Sequence, residues 1–491
     1  MGDLTLYKLN ESYIKFECDR SLAQELSDYF TFYVPGHQFT PAFKSRVWDG
    51  KIRLADLRTY TIYHGLVPYI EKFCKERDYS LAIDSKITTT EEFSLVEAKN
   101  FVESLKLPFE VRDYQLKSFV NGIRNRRMLL LSPTASGKSL IIYLIIRYLL
   151  QTCKKGLLIV PNISLVAQMT KDFDDYSVNN NFDISETIHQ IYQGKSKVSD
   201  KAKLYISTWQ SIYTQPKEYF EQFDFVIGDE AHSFKAKSLT TIMTGCDYAK
   251  YRIGTTGTLD GTQTHRLVLE GLFGPVYQST TTSDLIEKGQ LADFNIKCLI
   301  LKYPELICKE SKKWDYQTEM NYIVANQKRN EFIKNLVMSL EGNTLVLFQL
   351  VEKHGKILHE LIKKSAKNRH VFFVFGGTDV EVRESVRAIT EKESNAIIVA
   401  SYGVYSTGVN IRNLHNVVFA SPSKSRIRNL QSIGRGLRLG DNKEKATLID
   451  IADDLRDGKH TNYTLKHFIE RVKIYDEEKF NYKFYNIELK T

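Results

Sequence analysis

Cysteine is scarce in this 491-residue chain, and its spacing suits no metal site. The six cysteines are scattered without a Cys-x-x-Cys pair, which excludes a disulfide scaffold and a zinc ribbon and favours a reducing compartment. A basic segment followed by an apolar one is missing at the start, so nothing indicates secretion. The longest apolar run, residues 140–150, contains Arg147 and falls short of the roughly 18 residues that cross a membrane. We therefore expect a soluble, cytoplasmic protein with no membrane partner.

Low-complexity tracts and repeats of 20–50 residues are also missing, which argues against a solenoid. The chain does have length and apolar residues. At about 150 residues per domain, its length allows roughly three domains. Its 42% hydrophobic residues exclude disorder as the main state.

Positive charge is in moderate excess, with 68 Lys and Arg against 59 Asp and Glu, a net charge of +9. Such an excess permits a polyanionic partner without requiring one. Two segments concentrate it, because residues 42–58 and residues 424–438 each contain five Lys and Arg. These segments are candidates for contacts with nucleic acid.

Short apolar runs recur along the chain, each followed by a stretch typical of a helix. Runs of four to six apolar residues without alternation are typical of strands buried on both faces of a parallel sheet. They form two series, which predict two parallel α/β sheets. The first series lies at residues 128–131, 156–160, 204–207, 223–227 and 251–254, and the second at 344–348, 371–375, 396–400, 416–420 and 446–451.

The remaining segments predict a small N-terminal domain and a C-terminal tail. Residues 1–100 combine strand-like alternation with an apolar-periodic helix near residues 22–30, which indicates an α+β accessory domain. Asp49-Gly50 predicts a hairpin between residues 46–48 and 51–54. We therefore divide the chain into this domain at 1–100, a first lobe at 101–285, a second lobe at 286–456 and a helical tail at 457–491.

A phosphate-binding loop is predicted between the first strand of the first series and the apolar helix behind it. Small residues let backbone N–H groups surround phosphates at a helix N-terminus, a lysine meets the β- and γ-phosphates, and a hydroxyl binds Mg²⁺. Ser132 replaces the first consensus glycine, and a turn that merely caps a buried helix is the alternative. The residues expected to bind ATP are Thr134, Ala135, Ser136, Gly137, Lys138 and Ser139, with Ser139 also a Mg²⁺ ligand.

Two adjacent acids, Asp229 and Glu230, end the apolar strand at residues 223–227. At a strand tip, Asp229 can reach the metal shell, and Glu230 can orient or deprotonate a water that attacks the γ-phosphate. A charged loop turning into solvent is the alternative, and it is a poor one for Asp-Glu-Ala-His at this distance behind a phosphate loop. Together the two motifs predict an NTPase.

Two arginines three residues apart, Arg435 and Arg438, lie on one face of a helix predicted in the second lobe. They can act as arginine fingers that bring positive charge to the γ-phosphate. A basic helix that faces solvent or nucleic acid is an equal alternative from these residues alone.

In this order and spacing, the motifs resemble those of superfamily 2 helicases over about residues 108–455. The resemblance implies two RecA-like lobes in tandem, with ATP and Mg²⁺ as cofactors. It assigns Arg112 and Gln115 to adenine recognition. It further assigns His232, Thr256, Thr258, Gly408 and Gln431 to coupling between ATP hydrolysis and movement, and Pro161, Thr208 and Thr407 to nucleic-acid contacts.

A finer pattern is similar to the UvsW-like helicases of bacteriophages over nearly the whole chain. It comprises Phe39-x-Pro41-x-Phe43, residues 48–54, residues 400–408 and residues 476–482. This resemblance implies an ATP-dependent, RecG-like motor that unwinds or branch-migrates forked and four-way-junction DNA. It would serve phage recombination, repair and replication as a monomer in the host cytoplasm, with double- and single-stranded DNA as partners.

Two alternatives stay open at this point. Asp-Glu-Ala-His also occurs in RNA-acting relatives, so an RNA helicase is possible, and an ATP-gated protein that binds junctions without unwinding them is another. One motif departs from the superfamily pattern. Residues 400–410 resemble helicase motif V, but Asn410 stands where an acid is frequent.

Aromatic and basic residues lie close together in the N-terminal domain. Arg46, Trp48, Lys51 and Arg53 are candidate DNA contacts, because an aromatic side chain between cations can stack on a base. A tryptophan that closes the small domain's core is an equal alternative. For Trp209, packing is the favoured interpretation.

Overall fold

Two parallel sheets organise the chain, each in its own unit. The computed structural model describes residues 2–192, 194–233, 236–259, 262–407, 411, 413–423, 425 and 445–489. Within them, the first unit comprises residues 1–132 and 137–279, and the second comprises residues 133–136 and 280–491. Each unit contains a sheet of seven described strands, all parallel. The predicted fold class of two tandem α/β lobes behind an α+β region is confirmed.

The N-terminal region, residues 2–88, is fully described and is built on a mixed sheet. Its strand order is β5-β6-β2-β1-β7, and β3 pairs with β4 in a separate ribbon. The strands are β1 (Leu4–Lys8), β2 (Tyr13–Cys18), β3 (Thr31–Tyr33), β4 (Lys51–Arg53), β5 (Ala55–Asp56), β6 (Thr61–Tyr63) and β7 (Leu81–Ile83), and the helices are α1 (Arg20–Tyr29), α2 (Pro41–Lys44) and α3 (Val67–Glu76), with 3-10 turns at His37–Phe39 and His64–Leu66.

Local sequence explains these first elements. In β1, Leu4 and Leu6 are buried while the intervening residue faces outward, as alternation requires. Helix α1 begins after Asp19, whose carboxylate accepts a hydrogen bond from the Leu22 N–H, and it buries Leu22 and Leu26. This is the helix expected near residues 22–30.

The predicted hairpin across Asp49-Gly50 is wrong. Strand β4 pairs with β3, Phe32 opposite Ile52, and residues 46–48 form no strand. Thr40 caps α2, which begins at Pro41, and the N–H groups of Val47 and Trp48 then both donate to the Ala42 carbonyl. These turn hydrogen bonds use the backbone groups that a strand at 46–48 would need.

The first lobe's sheet has the order β10-β11-β9-β12-β13-β8-β14. Its five central strands match the first apolar series, whereas the edge strands β10 and β14 were not predicted because they are short and only partly buried. The strands are β8 (Arg127–Leu131), β9 (Gly156–Val160), β10 (Ile188–Ile191), β11 (Leu204–Thr208), β12 (Phe225–Gly228), β13 (Tyr251–Thr256) and β14 (Val276–Gln278). The helices are α4 (Leu95–Ser104), α5 (Asp113–Asn125), α6 (Lys138–Leu149), α7 (Ile163–Ser177), α8 (Ile184–Thr187), α9 (Trp209–Ile212), α10 (Lys217–Phe220), α11 (Ala236–Gly245) and α12 (Gln263–Phe273), with a 3-10 turn at Ala231–Ser233.

The N-terminal region shares one hydrophobic core with the first lobe and lies in the same unit. The Arg127 guanidinium binds the Glu11 carboxylate at 2.9 Å, and the Glu11 N–H donates to the Asp247 carbonyl. Gly65 allows the closest approach, because a Cβ there would lie 2.0 Å from the Glu270 carbonyl oxygen. The accessory domain is therefore packed firmly onto the lobe.

The second lobe's sheet has the order β17-β18-β16-β19-β20-β15-β21. The strands are β15 (Asp293–Lys302), β16 (Thr344–Phe348), β17 (Val371–Val374), β18 (Ile397–Ser401), β19 (Asn416–Phe419), β20 (Lys445–Asp454) and β21 (Asn481–Glu488). The helices are α13 (Thr282–Glu287), α14 (Glu305–Ser311), α15 (Tyr316–Ala325), α16 (Gln327–Ser339), α17 (Lys356–Ser365), α18 (Val380–Lys392), α19 (Tyr402–Thr407) and α20 (Tyr463–Glu477), with a π-helical turn at Val351–Gly355.

The C-terminal segment is not the helical tail that the sequence predicted. Helix α20 is followed by β21, which pairs in parallel with β15 at the edge of the lobe's sheet. Arg471 of α20 is buried and forms a two-bonded ion pair with Asp450 of β20, to which the Tyr475 hydroxyl also donates. These contacts make the segment part of the second lobe. No helix in the described ranges is both long and apolar enough to cross a membrane.

Candidate functional site

Three neighbouring strands of the first lobe end at the same edge of the sheet. Strands β12, β13 and β8 are adjacent and parallel, so the segments that follow them lie side by side. The phosphate loop follows β8, the paired acids follow β12, and Thr256-Gly257-Thr258 comes at the end of β13. Ligands of open α/β sheets bind at this edge.

Ser132, which stands where the loop's first glycine was expected, is fully buried. Its N–H donates to the Thr256 carbonyl at 2.9 Å, and its hydroxyl accepts from the Ser279 hydroxyl at 2.8 Å. The backbone bond to Thr256 would also form with glycine, so what the serine adds is the hydroxyl contact that ties the start of the loop to Ser279, just after β14. Sequence reasoning missed Ser279, since nothing local marks it.

Gly137 closes the loop and precedes α6. Its φ of 78° is left-handed, and a Cβ would lie 2.4 Å from Nε2 of Gln115. The left-handed φ favours glycine here, because another residue would be strained in this conformation and Gln115 would have to shift to make room for it. Helix α6 then buries almost all of its residues 140–146 in the lobe's core, which fixes the helix N-terminus at Lys138. An anion at this N-terminus meets free backbone N–H groups.

Gln115 is brought against the loop by the start of α5. The Arg112 N–H donates to Oε1 of Gln115 at 3.0 Å, and the Arg112 guanidinium donates to the Tyr114 hydroxyl at 3.0 Å. Gln115 is only 4% exposed. The two residues assigned to adenine recognition are thus held next to the phosphate loop.

The paired acids face Lys138. Nζ of Lys138 lies 2.9 Å from Oε1 of Glu230. Oδ1 of Asp229 accepts hydrogen bonds from the Thr255 hydroxyl at 2.7 Å and from the Glu230 N–H at 2.9 Å. Glu230 has a φ of 50°, a conformation that is rare outside glycine and is found at functional sites.

This cluster is short of positive charge. Burial and the neighbouring Glu230 raise the pKa of Asp229 to about 6, against the opposing effect of Lys138. Two acids against one lysine suit a hard divalent cation, to which Asp229 can offer a carboxylate oxygen. In the described ranges no group of three or more His, Cys, Asp or Glu forms a metal site of its own.

A hydrogen-bond chain joins the acids to the end of β13. The Thr256 hydroxyl donates to the Thr258 carbonyl at 2.7 Å, so it accepts from Nδ1 of His232, 2.6 Å away. Nδ1 of His232 also lies 3.4 Å from Oε2 of Glu230. Three of the predicted coupling residues, His232, Thr256 and Thr258, are therefore in contact. Thr255, which holds Asp229, was missed although it directly precedes Thr256.

Pro161 directly follows β9, and Thr208 is the last residue of the neighbouring strand β11. Val160 of β9 is in register with Thr208 of β11. Nε2 of Gln210 donates to the Pro161 carbonyl at 3.3 Å. Trp209 packs against the hydrophobic core, as the sequence favoured over a contact with nucleic acid.

Of the N-terminal candidates for DNA contact, Lys51, Arg53 and Trp48 also make contacts within the domain. Arg46 is exposed, and Nζ of Lys51 lies 5.0 Å from the centre of the Tyr33 ring. Arg53 forms an ion pair with Asp49. Trp48 is half-buried, and its indole N–H donates to the Lys51 carbonyl at 2.9 Å.

Several predicted site residues lie outside the described part of the chain. These are Gly408, Gln431, Arg435 and Arg438, and the described part of Thr407 is its backbone at the end of α19.

Three protein families match successive parts of the chain. The family "DNA helicase UvsW, N-terminal" matches residues 3–84. "Type III restriction enzyme, res subunit" matches residues 101–261, and "Helicase conserved C-terminal domain" matches residues 327–440.

Individual proteins extend the likeness to the full length. The ATP-dependent DNA helicase uvsW of Enterobacteria phage T4 is 36% identical over 509 residues, covering 99% of this chain and 100% of that protein. The crystal structure of T4 UvsW has a TM-score of 0.53 at 34% identity, with 99% of this chain and 100% of that chain covered. The DNA-bound Type ISP restriction-modification enzyme LlaBIII has a TM-score of 0.58 at 14% identity, covering 83% of this chain and 33% of that chain, and shares the fold.

Proposed function

Because the chain belongs to the UvsW family of superfamily 2 DNA helicases, we propose that it uses ATP hydrolysis to unwind or branch-migrate forked and four-way-junction DNA. One observation supports this most strongly. Lys138, Asp229 and Glu230 converge at the carboxyl edge of the first lobe's sheet, behind a glycine in a left-handed conformation. We place the activity in phage recombination, repair and replication, carried out by a monomer in the host cytoplasm.

The phosphate loop would hold the nucleotide. Backbone N–H groups ahead of α6, together with the Lys138 ammonium, would bind the β- and γ-phosphates. Arg112 and Gln115 would meet the adenine from the adjoining start of α5. Thr134, Ala135, Ser136 and Gly137 would supply the turn around the phosphates.

Ser139 and Asp229 would hold Mg²⁺, which neutralises charge on the phosphate oxygens when bound. Thr255 and the Glu230 N–H hold Asp229 through one carboxylate oxygen, Oδ1. Glu230 would accept a hydrogen bond from the attacking water and draw off its proton. Its left-handed backbone positions the side chain beside Lys138.

Arg435 and Arg438 would bring positive charge to the phosphoryl group as it transfers. A second set of residues would couple the hydrolysis of ATP to movement of the DNA-binding residues. These are His232, Thr256, Thr258, Gly408 and Gln431. Pro161, Thr208 and Thr407 would grip the strand's backbone, a contact that carries no sequence information. Arg46, Lys51 and Arg53 would attract the phosphates of a DNA arm.

The test is ATP-dependent conversion of matched substrates side by side. Synthetic forks, four-way junctions and RNA duplexes of equal length are incubated with the protein, with ATP and with a non-hydrolysable analogue. We expect conversion of forks and junctions only with ATP. Conversion of RNA duplexes instead would support an RNA helicase, and fork binding without strand displacement would support an ATP-gated junction clamp.

A further inference from the structure

We propose that Phe39 and Val47, rather than Trp48, are the side chains with which the N-terminal domain meets the bases at a DNA branch point. This inference rests on the proposed function and names the surface that would distinguish a branched from an unbranched substrate. It concerns residues 31–53, called the ribbon module below, which contain β3, the 3-10 turn, α2 and β4.

Phe39 and Val47 are unusually exposed. Phe39 is 74% exposed and Val47 is 82% exposed, and among the described large hydrophobic residues only Leu306 also exceeds 70%. Two such side chains within nine positions of one module expose apolar surface to water that a partner could bury. Leu306 lies in the other unit, so it provides a matched control.

The other aromatic side chains of the module are engaged within it. The rings of Tyr33 and His37 stack at 4.8 Å, and Phe43 meets His37 edge-on at 4.8 Å. Trp48 uses its only polar group on the Lys51 carbonyl and is half-buried. Part of the Trp48 surface and its N–H are thus already used inside the module, whereas most of the surface of Phe39 and Val47 is open to a partner.

The charge of the module matches a polyanion. Lys44, Arg46, Lys51 and Arg53 face a single acid, Asp49, which forms an ion pair with Arg53. Lys44 and Arg46 are exposed and lie three residues and one residue before Val47 in the chain. Apolar side chains flanked by cations are the arrangement with which proteins enter a base step while holding its phosphates.

The module is carried on a domain that is fixed to the first lobe. Besides the ion pair of Arg127 with Glu11, the Ser12 hydroxyl donates to the Met243 carbonyl at 3.0 Å across the same boundary. The ribbon module would therefore keep its position relative to the first lobe while DNA is drawn along that lobe and against the module. At a branch point, where pairing ends, the unstacked bases would meet Phe39 and Val47.

The experiment compares affinity for a fork and for a single strand of the same length, without ATP. The fork carries 2-aminopurine at the branch, whose fluorescence rises when the base unstacks. The variants are Phe39→Ala, Val47→Ala, their double and the control Leu306→Ala, each checked by thermal unfolding. All three residues are exposed, so each variant should fold.

We expect the double variant to lower the ratio of fork to single-strand affinity by about fivefold or more, the loss typical of one stacked base. The 2-aminopurine signal should fall with it, and Leu306→Ala should keep the wild-type ratio and signal. An unchanged ratio in the double variant would overturn the inference. Failure of the wild-type protein to convert forks with ATP would instead count against the proposed function, since binding is measured separately.

Discussion

Lys138 and Glu230, 92 residues apart in the chain, are joined by an ion pair of 2.9 Å between Nζ and Oε1. Lys138 is held at the N-terminus of the buried helix α6, and Glu230 is held by a left-handed backbone at the tip of β12. The two side chains therefore balance each other's charge in this ion pair. Bound phosphates would compete for Lys138 and release Glu230 to act on water.

Lys138→Ala should abolish ATP hydrolysis, with a loss of about two orders of magnitude or more, while DNA binding is largely kept. The ammonium is the group that meets the β- and γ-phosphates, and the DNA contacts lie on other residues. Steady-state ATPase and fork binding measured on the same preparation check this. A variant that hydrolyses ATP near the wild-type rate would refute the phosphate-loop assignment.

Glu230→Gln should bind ATP and fail to turn it over. The amide has the shape of the carboxylate but cannot take a proton, and Asp229 and the loop remain in place. Nucleotide affinity by fluorescence titration and turnover are measured together. Simultaneous loss of ATP binding would contradict the role given to Glu230.

Arg435→Ala and Arg438→Ala should each lower ATP turnover at saturating DNA, with little loss of DNA affinity. Positive charge on the transferring phosphoryl group can accelerate the reaction by about a thousandfold or more. The experiment titrates forked DNA at several salt concentrations without ATP, then measures ATPase at saturating DNA.

The alternative for these arginines gives the opposite result. If they lie on a DNA-facing helix, the slope of log affinity against log salt falls by about one phosphate contact for each arginine. An unchanged ATPase rate with a reduced slope would rule out the finger assignment.

His232→Ala should lower strand displacement more than ATP hydrolysis. The imidazole donates to Thr256, whose hydroxyl in turn binds the Thr258 carbonyl, so its loss breaks the link between the two segments. His232→Asn, whose amide N–H can replace Nδ1–H, is the matched control. We measure strands displaced per ATP hydrolysed, and an equal fall in both rates would argue against coupling.

Stability should decline as the pH falls from 7 to 5, in part through His64. This side chain is only 5% exposed, and its Nε2 lies 3.2 Å from the Ile87 carbonyl oxygen, within hydrogen-bonding distance. Burial, helped by Arg127, lowers its pKa to about 2. In the unfolded chain His64 is protonated near pH 6.5, whereas in the folded chain it stays neutral. The free energy of unfolding therefore falls below pH 6.5, by up to about 1.4 kcal/mol per pH unit.

The control for this prediction is His64→Gln, which can keep a hydrogen bond but does not titrate. Urea unfolding of both proteins at pH 7, 6 and 5 makes the comparison. The variant should start less stable and lose less on acidification. Parallel curves would show that His64 does not contribute.

The central strands and the nucleotide motifs could be read from the sequence because they depend on local pattern. An apolar run such as residues 156–160 is buried on both faces wherever it sits in a parallel sheet, and a glycine before Lys138 already indicates a helix N-terminus. Local pattern alone was sufficient for these elements. That Lys138 and Glu230 meet depends on the order of the strands in the sheet, where only β13 separates β8 from β12.

The tertiary structure decided what depends on remote partners. The Asp49-Gly50 turn gave no hairpin, because β4 found its pairing partner in β3 and the intervening residues formed α2. Likewise, β21 joined the sheet only because α20 is anchored by Arg471 on Asp450. A residue's neighbours along the chain say that it can form a strand, but they do not specify with which strand it pairs.

Within the site, the sequence determined which residue types are present, and the fold determined which of them are free to act. The sequence pointed to Trp48, yet its N–H donates to the Lys51 carbonyl, and Phe39 is the most exposed aromatic side chain of the ribbon module. Ser132 departs from the glycine expected at the start of the loop, and the contacts that hold it, with Thr256 and Ser279, come from distant parts of the chain. Side-chain availability is set by packing between distant segments, so it belongs to the three-dimensional structure alone.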